Sequence, residues 1–174
     1  MNIHPIFTHF PLALFTTYAI LEIARFPKIQ KLPYLFNIKG FLVISGTLFS
    51  FITLKTGELA EDAFSTPNIG TRSLIETHSA IANISIYIFL AISIIYFFKW
   101  IDLSPLDTYV IKSPFSKIWI AIKKHTGYVL RSPFLPFLAL IGLIAITMTG
   151  ALGGAIVYGP NVDPVVKFVY NLFF

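Results

Sequence analysis

The chain has 174 residues, 56% of them hydrophobic and 12% charged, with a mean hydropathy of +0.77. A water-soluble domain of this size could not enclose so much apolar surface, so the composition is that of an integral membrane protein. The absence of cysteine excludes disulfides, protein-ligated iron–sulfur clusters and thioether-linked haem, and the net charge of +5 reads as membrane topology and not as a nucleic-acid partner.

A hydrocarbon core of about 30 Å takes roughly 20 helical residues, and four charge-poor stretches approach that length. The first runs from about Ile6 to Ile23. Its first charged side chain is Glu22, so no basic segment precedes the apolar run, and no small-residue cleavage site follows it. The span is expected to stay in the mature protein. Pro5 suits a first turn. Pro11 inside the span would free a carbonyl near Phe7, so the helix is expected either to begin later or to kink beside His9. The second span covers about Leu35 to Leu54, with Lys39 and Lys55 expected to snorkel to the two interfaces. The third begins near Ser73, where Ser73-Leu74-Ile75-Glu76 has the form of a capping box. It is uncharged from Thr77 to Phe98, with Tyr96, Phe97, Phe98 and Trp100 expected at the far interface.

In the long third connection, Ser113-Pro114 reads as a cap. Phe115, Ile118, Trp119 and Ile122 recur at helical spacing opposite Ser116, Lys117, Lys123 and Lys124, the pattern of a helix lying in the membrane surface. Pro133 and Pro136 open a fourth span that continues to about Tyr158, and Val165, Phe168, Val169, Leu172 and Phe173 form an amphipathic tail. The expected fold is a single domain, residues 1–174: an all-α integral membrane four-helix bundle with one interfacial helix and a C-terminal surface tail.

With four spans, Arg25, Lys28, Lys31, Lys39, Lys99, Lys112, Lys117, Lys123, Lys124 and Arg131 fall on one side, and only Lys55, Arg72 and Lys167 on the other. Ten basic residues against three put the first set in the cytoplasm and both termini outside. His125, beside Lys123 and Lys124, reads as a surface histidine.

His9 and His78 each lie a turn or more inside spans one and three, which run in the same direction, so their imidazoles are expected at matched depth. Histidine inside a membrane is costly unless paired or coordinated, and two neutral imidazoles can bind a haem iron from opposite faces. Ala13 and Thr16 after His9, and Ala82 and Ser85 after His78, leave room for a flat ligand. So do the small-residue faces Gly46, Ser50, Thr53, Gly57 and Gly142, Ala145, Thr149, Gly153. Such stripes are equally the means by which membrane helices pack closely. Arg72 and Lys55 are placed to pair with haem propionates. Other uses of the histidines are a hydrogen bond to the carbonyl freed by Pro11 and a proton relay. His4, five residues before His9, lies off that face and reads as interfacial. A competing metal site would join His4 to Glu58, Glu61 and Asp62, with Glu76 and Asp163 nearby. Glu76-Thr77-His78 is one residue short of a Glu-x-x-His pattern. No nucleophile elbow, phosphate loop or dinucleotide fingerprint is present.

From Ile3-His4-Pro5 through His9-Phe10-Pro11-Leu12-Ala13-Leu14 the chain resembles the bacterial membrane-protein family called domain of unknown function 2231. Its pattern is an N-terminal His-Pro, then His-Phe-Pro and an aliphatic run. Thr56-Gly57-Glu58-Leu59-Ala60-Glu61-Asp62, His78-Ser79-Ala80-Ile81-Ala82-Asn83 and Gly153-Gly154-Ala155-Ile156-Val157-Tyr158 are similar to its later segments. Some members carry histidine where this chain has Ala155, which argues against a ligand from span four. The resemblance implies a four-span fold, and redox work by association, since some relatives are fused to or encoded beside Rieske-type or cytochrome domains. The combined expectation is a b-type haem electron carrier, not a stand-alone enzyme, working with other membrane or periplasmic redox subunits. The alternatives are a cofactor-free accessory subunit of a larger complex and a histidine–carboxylate metal-binding protein.

Overall fold

The computed structural model describes residues 3–62 and 69–174. Every regular element among them is helical: α1 (His4–Ile23), α2 (Pro27–Gln30), α3 (Leu35–Asp62), α4 (Ile69–Asp102), α5 (Leu106–Ile111), α6 (Ser116–Arg131), α7 (Phe134–Tyr158) and α8 (Pro164–Tyr170). Four of them, α1, α3, α4 and α7, are long and apolar enough to cross a membrane. They pack in the cyclic order α1–α3–α4–α7, so α1 and α4 face one another across the bundle.

α1 neither starts late nor breaks at Pro11. It begins at His4 with Pro5 in its first turn and runs on through Pro11. The carbonyl of Phe7, which Pro11 has no N–H to satisfy, accepts a hydrogen bond from Thr53 Oγ1 of α3 at 3.0 Å. The freed backbone group is met by a threonine on the neighbouring helix and by no histidine, as a membrane interior requires.

The core is built on glycine. Phe15 of α1 and Phe89 of α4 stack face to face at the bundle axis, 4.0 Å between centroids and 8° apart in plane. Each ring lies on a glycine of the next helix. A Cβ at Gly46 would stand 2.7 Å from Phe15 Cε1, and one at Gly142 would stand 2.8 Å from Phe89 Cζ. Dispersion contact of this kind is the main force that holds apolar helices together in lipid.

These seats belong to a larger repetition. His4, Phe15 and Glu22 on α1 are each 74 residues before His78, Phe89 and Tyr96 on α4. On the partner helices Gly46, Thr53 and Gly57 of α3 are each 96 residues before Gly142, Thr149 and Gly153 of α7. The pair α1–α3 thus repeats as α4–α7, with a histidine and a phenylalanine over glycines in both, while Glu22 and Tyr96 differ and meet each other.

Several helix ends differ from expectation. α4 starts at Ile69, so Ser73 is an interior residue whose carbonyl accepts from Thr77, and Glu76 pairs with Arg72 instead of reaching back to a cap. Tyr96 is buried in the bundle, where its hydroxyl donates to Glu22, and Trp100 donates to Asn37 Oδ1. Ser113 does accept from the Phe115 N–H, but α6 begins only at Ser116. Trp119 of α6 is buried, packs edge-on against Phe98 of α4 and donates to Asp107 at 2.7 Å, so one face of this amphipathic helix docks on the bundle. Phe115, Ile118 and Tyr128 remain outward. The tail behaves as its pattern suggests. Asp163 Oδ1 caps α8 by accepting from Val165 and Val166 N–H, Val166 and Val169 bury against α7, and Val165, Phe168 and Leu172 point out.

Candidate functional site

At about 100° per residue, a helix brings residues 7, 11, 14 and 18 positions apart back to one face. On α1 that face holds His4, Pro11, Phe15, Tyr18 and Glu22, and all but the half-buried His4 are fully buried. His9 lies on the opposite side and is exposed on the outer surface of the bundle, as is Ala13. The structure therefore does not bring His9 and His78 together; the histidine of α1 that faces inward is His4. Its counterpart on α4 heads the same series, His78, Ser85, Phe89, Ile92 and Tyr96.

The two inward imidazoles are held alike. His78 Nδ1 lies 3.0 Å from the carbonyl of Thr149, which can only accept, so Nδ1 carries the proton. The ring sits over Gly153, where a Cβ would be 3.3 Å from His78 Cε1. His4 Nδ1 lies 3.2 Å from Thr56 Oγ1, whose own hydrogen is given to the Thr53 carbonyl, so here too the imidazole Nδ1–H is the donor. The Thr53 carbonyl is a second acceptor beside it, matching Thr149 on the other helix. The ring sits over Gly57, with a Cβ there 3.1 Å from His4 Cε1.

The other expected contacts are elsewhere. Thr16 and Ala82 are half-buried, while Ser85 is fully buried and donates to the Ala82 carbonyl. The Phe15–Phe89 stack fills the bundle axis beside Thr16 and one turn beyond Ser85. Lys55 pairs with Glu58 at 2.8 Å and Arg72 with Glu76 at 3.0 Å, all four on the surface, where neighbouring carboxylates already hold both cations. Glu61 is exposed, and the Asp62 side chain lies outside the described residues. No group of three or more potential metal-binding side chains occurs among the described residues, and Asp163 is engaged as a helix cap.

The opposite end of the bundle holds a cluster that the sequence reading missed. Glu22, 2% exposed, receives Lys39 Nζ at 3.0 Å and the Tyr96 hydroxyl at 2.9 Å on Oε2, and Arg25 Nη2 at 3.0 Å on Oε1. Lys39 is 6% exposed and does not snorkel. The buried Tyr18 hydroxyl lies beside the cluster without a hydrogen-bond partner of acceptable geometry among the described residues. The missed signal was spacing. Glu22 is 18 residues after His4 on one helical face, and Lys39 is 7 before Gly46 on another, so each charge lines up with residues that must be interior.

The fold and these sites define an all-helical membrane-spanning protein with polar groups at both ends of an aromatic core. Comparison with protein-family models, with curated proteins and with solved structures gives no match.

Proposed function

We propose that this chain is a b-type haem electron-transfer subunit of the bacterial cytoplasmic membrane, with His4 and His78 as the axial ligands in place of the pair His9 and His78. The observation that carries the proposal is the equivalence of these two histidines. They occupy matching positions of a repeated helix pair, each over a glycine, each with Nδ1–H donated to an acceptor on the adjacent helix. That hydrogen bond fixes the tautomer whose Nε2 bears the lone pair, the usual arrangement behind a metal-bound imidazole. Two imidazoles with no third metal-binding side chain grouped beside them among the described residues suit a haem iron; a structural zinc site needs four protein ligands. Bound haem would supply a one-electron couple. The chain's own residues orient the rings: Thr53, Thr56 and Thr149 hold the Nδ1 protons, and Gly57 and Gly153 are the seats against which the rings pack.

The basic-residue asymmetry supports an orientation with the histidine end outside and the Glu22 end in the cytoplasm. In that orientation the partners are membrane or periplasmic redox subunits. A reduced-minus-oxidised visible spectrum of the protein purified from haem-replete cells tests the proposal. Soret and α bands are expected in wild type and in His9→Ala, and their loss in His4→Ala and in His78→Ala with helicity retained. A colourless wild type overturns it. One observation favours a cofactor-free accessory subunit instead: the mid-bundle level is filled by the chain's own Phe15 and Phe89. A colourless, folded protein that still co-purifies with a larger complex would establish that role.

A further inference from the structure

We infer that the outward face of α4 is a self-association surface, and that two copies pair along it through Asn83. Ala80, Asn83, Ile84, Tyr87, Ala91 and Ile94 are all exposed on this face. Residues 80, 83, 87, 90 and 94 alternate steps of three and four, the heptad spacing that keeps one seam of a helix against a parallel partner, and Asn83 lies in that seam. Asn83 lies six residues inside the uncharged run that begins at Thr77, and its amide has no hydrogen-bond partner among the described residues. A primary amide facing hydrocarbon is costly, and a partner helix is the ordinary remedy. Thr147, also exposed on a spanning helix, needs none because it donates to its own Leu143 carbonyl.

The occupant follows from the chemistry of the amide. It carries both donor and acceptor, so an asparagine is complementary to another asparagine. Copies inserted in one membrane share an orientation, and a closed pair has its two-fold axis along the membrane normal. α4 then meets α4 in parallel, and Asn83 lies opposite Asn83. Ala80, one turn before Asn83 in the same seam, lets the backbones approach. The equivalent outward position on α1 is His9, but Ile6 and Phe10 beside it are bulky and hold a partner helix away.

The chain has no cysteine, so single substitutions report the contact cleanly. In native membranes treated with a copper–phenanthroline oxidant, Ala80→Cys and Ile94→Cys are expected to give a disulfide-linked dimer and Ala13→Cys on α1 to stay monomeric. Asn83→Leu in the Ala80→Cys background is expected to lower the dimer fraction several-fold, and Asn83→Gln to retain most of it. Failure of both α4 cysteines to cross-link, cross-linking undiminished by Asn83→Leu, or cross-linking through Ala13→Cys overturns the inference. Light scattering of the wild type in mild detergent is a check independent of any variant: a dimer mass is expected, and a monomer mass at every protein concentration overturns it.

Discussion

At Glu22, one carboxylate meets two cations and a tyrosine hydroxyl inside a membrane-spanning helix. Desolvating such groups is expensive, and the cost is recovered only while every partner is present. Removing one partner is therefore worse than removing the pair. Glu22→Gln leaves Lys39 buried beside a neutral amide, and a loss of about 3–5 kcal/mol is expected from this kind of change. The double variant Glu22→Gln/Lys39→Met should regain most of that loss, because no buried ammonium remains. Unfolding in mixed micelles by increasing fractions of sodium dodecyl sulfate measures both. A double variant as unstable as the single one would show that the cluster does not hold the bundle through its charges. The cluster was open to reading in the sequence, since Glu22 shares a helical face with His4, Phe15 and Tyr18. It was missed because Glu22 and Lys39 lie near span ends, where charges ordinarily reach water. The same habit placed weight on His9, which stands in a conspicuous His-Phe-Pro motif but on the wrong side of its helix.

Among the elements, the four spans follow from length and hydropathy, and their limits were legible to within a turn or two except where a helix runs on past its apolar stretch. α3 continues to Asp62 and α4 starts at Ile69, because polar residues at a membrane surface can still make helix hydrogen bonds in water. The amphipathic α6 was legible too, but not what fixes it. Its inner face is tied to the end of α4 and to α5 by Lys123, which bridges Asp102 and Asp107, and by Trp119, which donates to Asp107. Hydrogen bonds from Lys123 and then Trp119 hold the Asp107 carboxyl below its ordinary range, and Asp102 and then Asp107 hold the Lys123 ammonium above its own. A carboxyl depressed on folding contributes stability that is complete above its unfolded pKa and lost as pH falls through its folded one. An ammonium raised on folding contributes below its unfolded pKa and loses it as pH rises through its folded one. α6 should thus stay docked across neutral pH, loosen in acid below the usual carboxylate value of about 3.9, and loosen again in alkali above the usual lysine value of about 10.4. In a Trp100→Phe background the emission of Trp119 is expected to hold steady from about pH 5 to about pH 9 and to shift red in stronger acid, given those reference values. Asp107→Asn should give the red-shifted emission already at neutral pH. A transition centred near neutrality would contradict the ion pairs as the source of docking.

For the molecule as a whole, what the sequence concealed was its repetition. Phe41-Leu42, Gly46, Thr53 and Gly57 recur as Phe137-Leu138, Gly142, Thr149 and Gly153, yet the residues between them share little, so no continuous match stands out. Only the contacts reveal which positions are equivalent: the glycines receive rings, the threonine segments receive imidazoles, and the outward residues between them differ. The repetition makes an energetic prediction. Gly46→Ala and Gly142→Ala put a methyl into the space of Phe15 and Phe89 respectively, closer than any relaxed contact allows. Each should cost about 1–3 kcal/mol, the usual price of overpacking a core, and the two costs should be alike. They should also fail to add, because Phe15 and Phe89 stack on one another and displacing either ring disturbs the seat of both. The double variant should therefore lose measurably less than the sum of the singles in the same micelle titration, and additive losses would mean that each ring rests on its own glycine independently of the other.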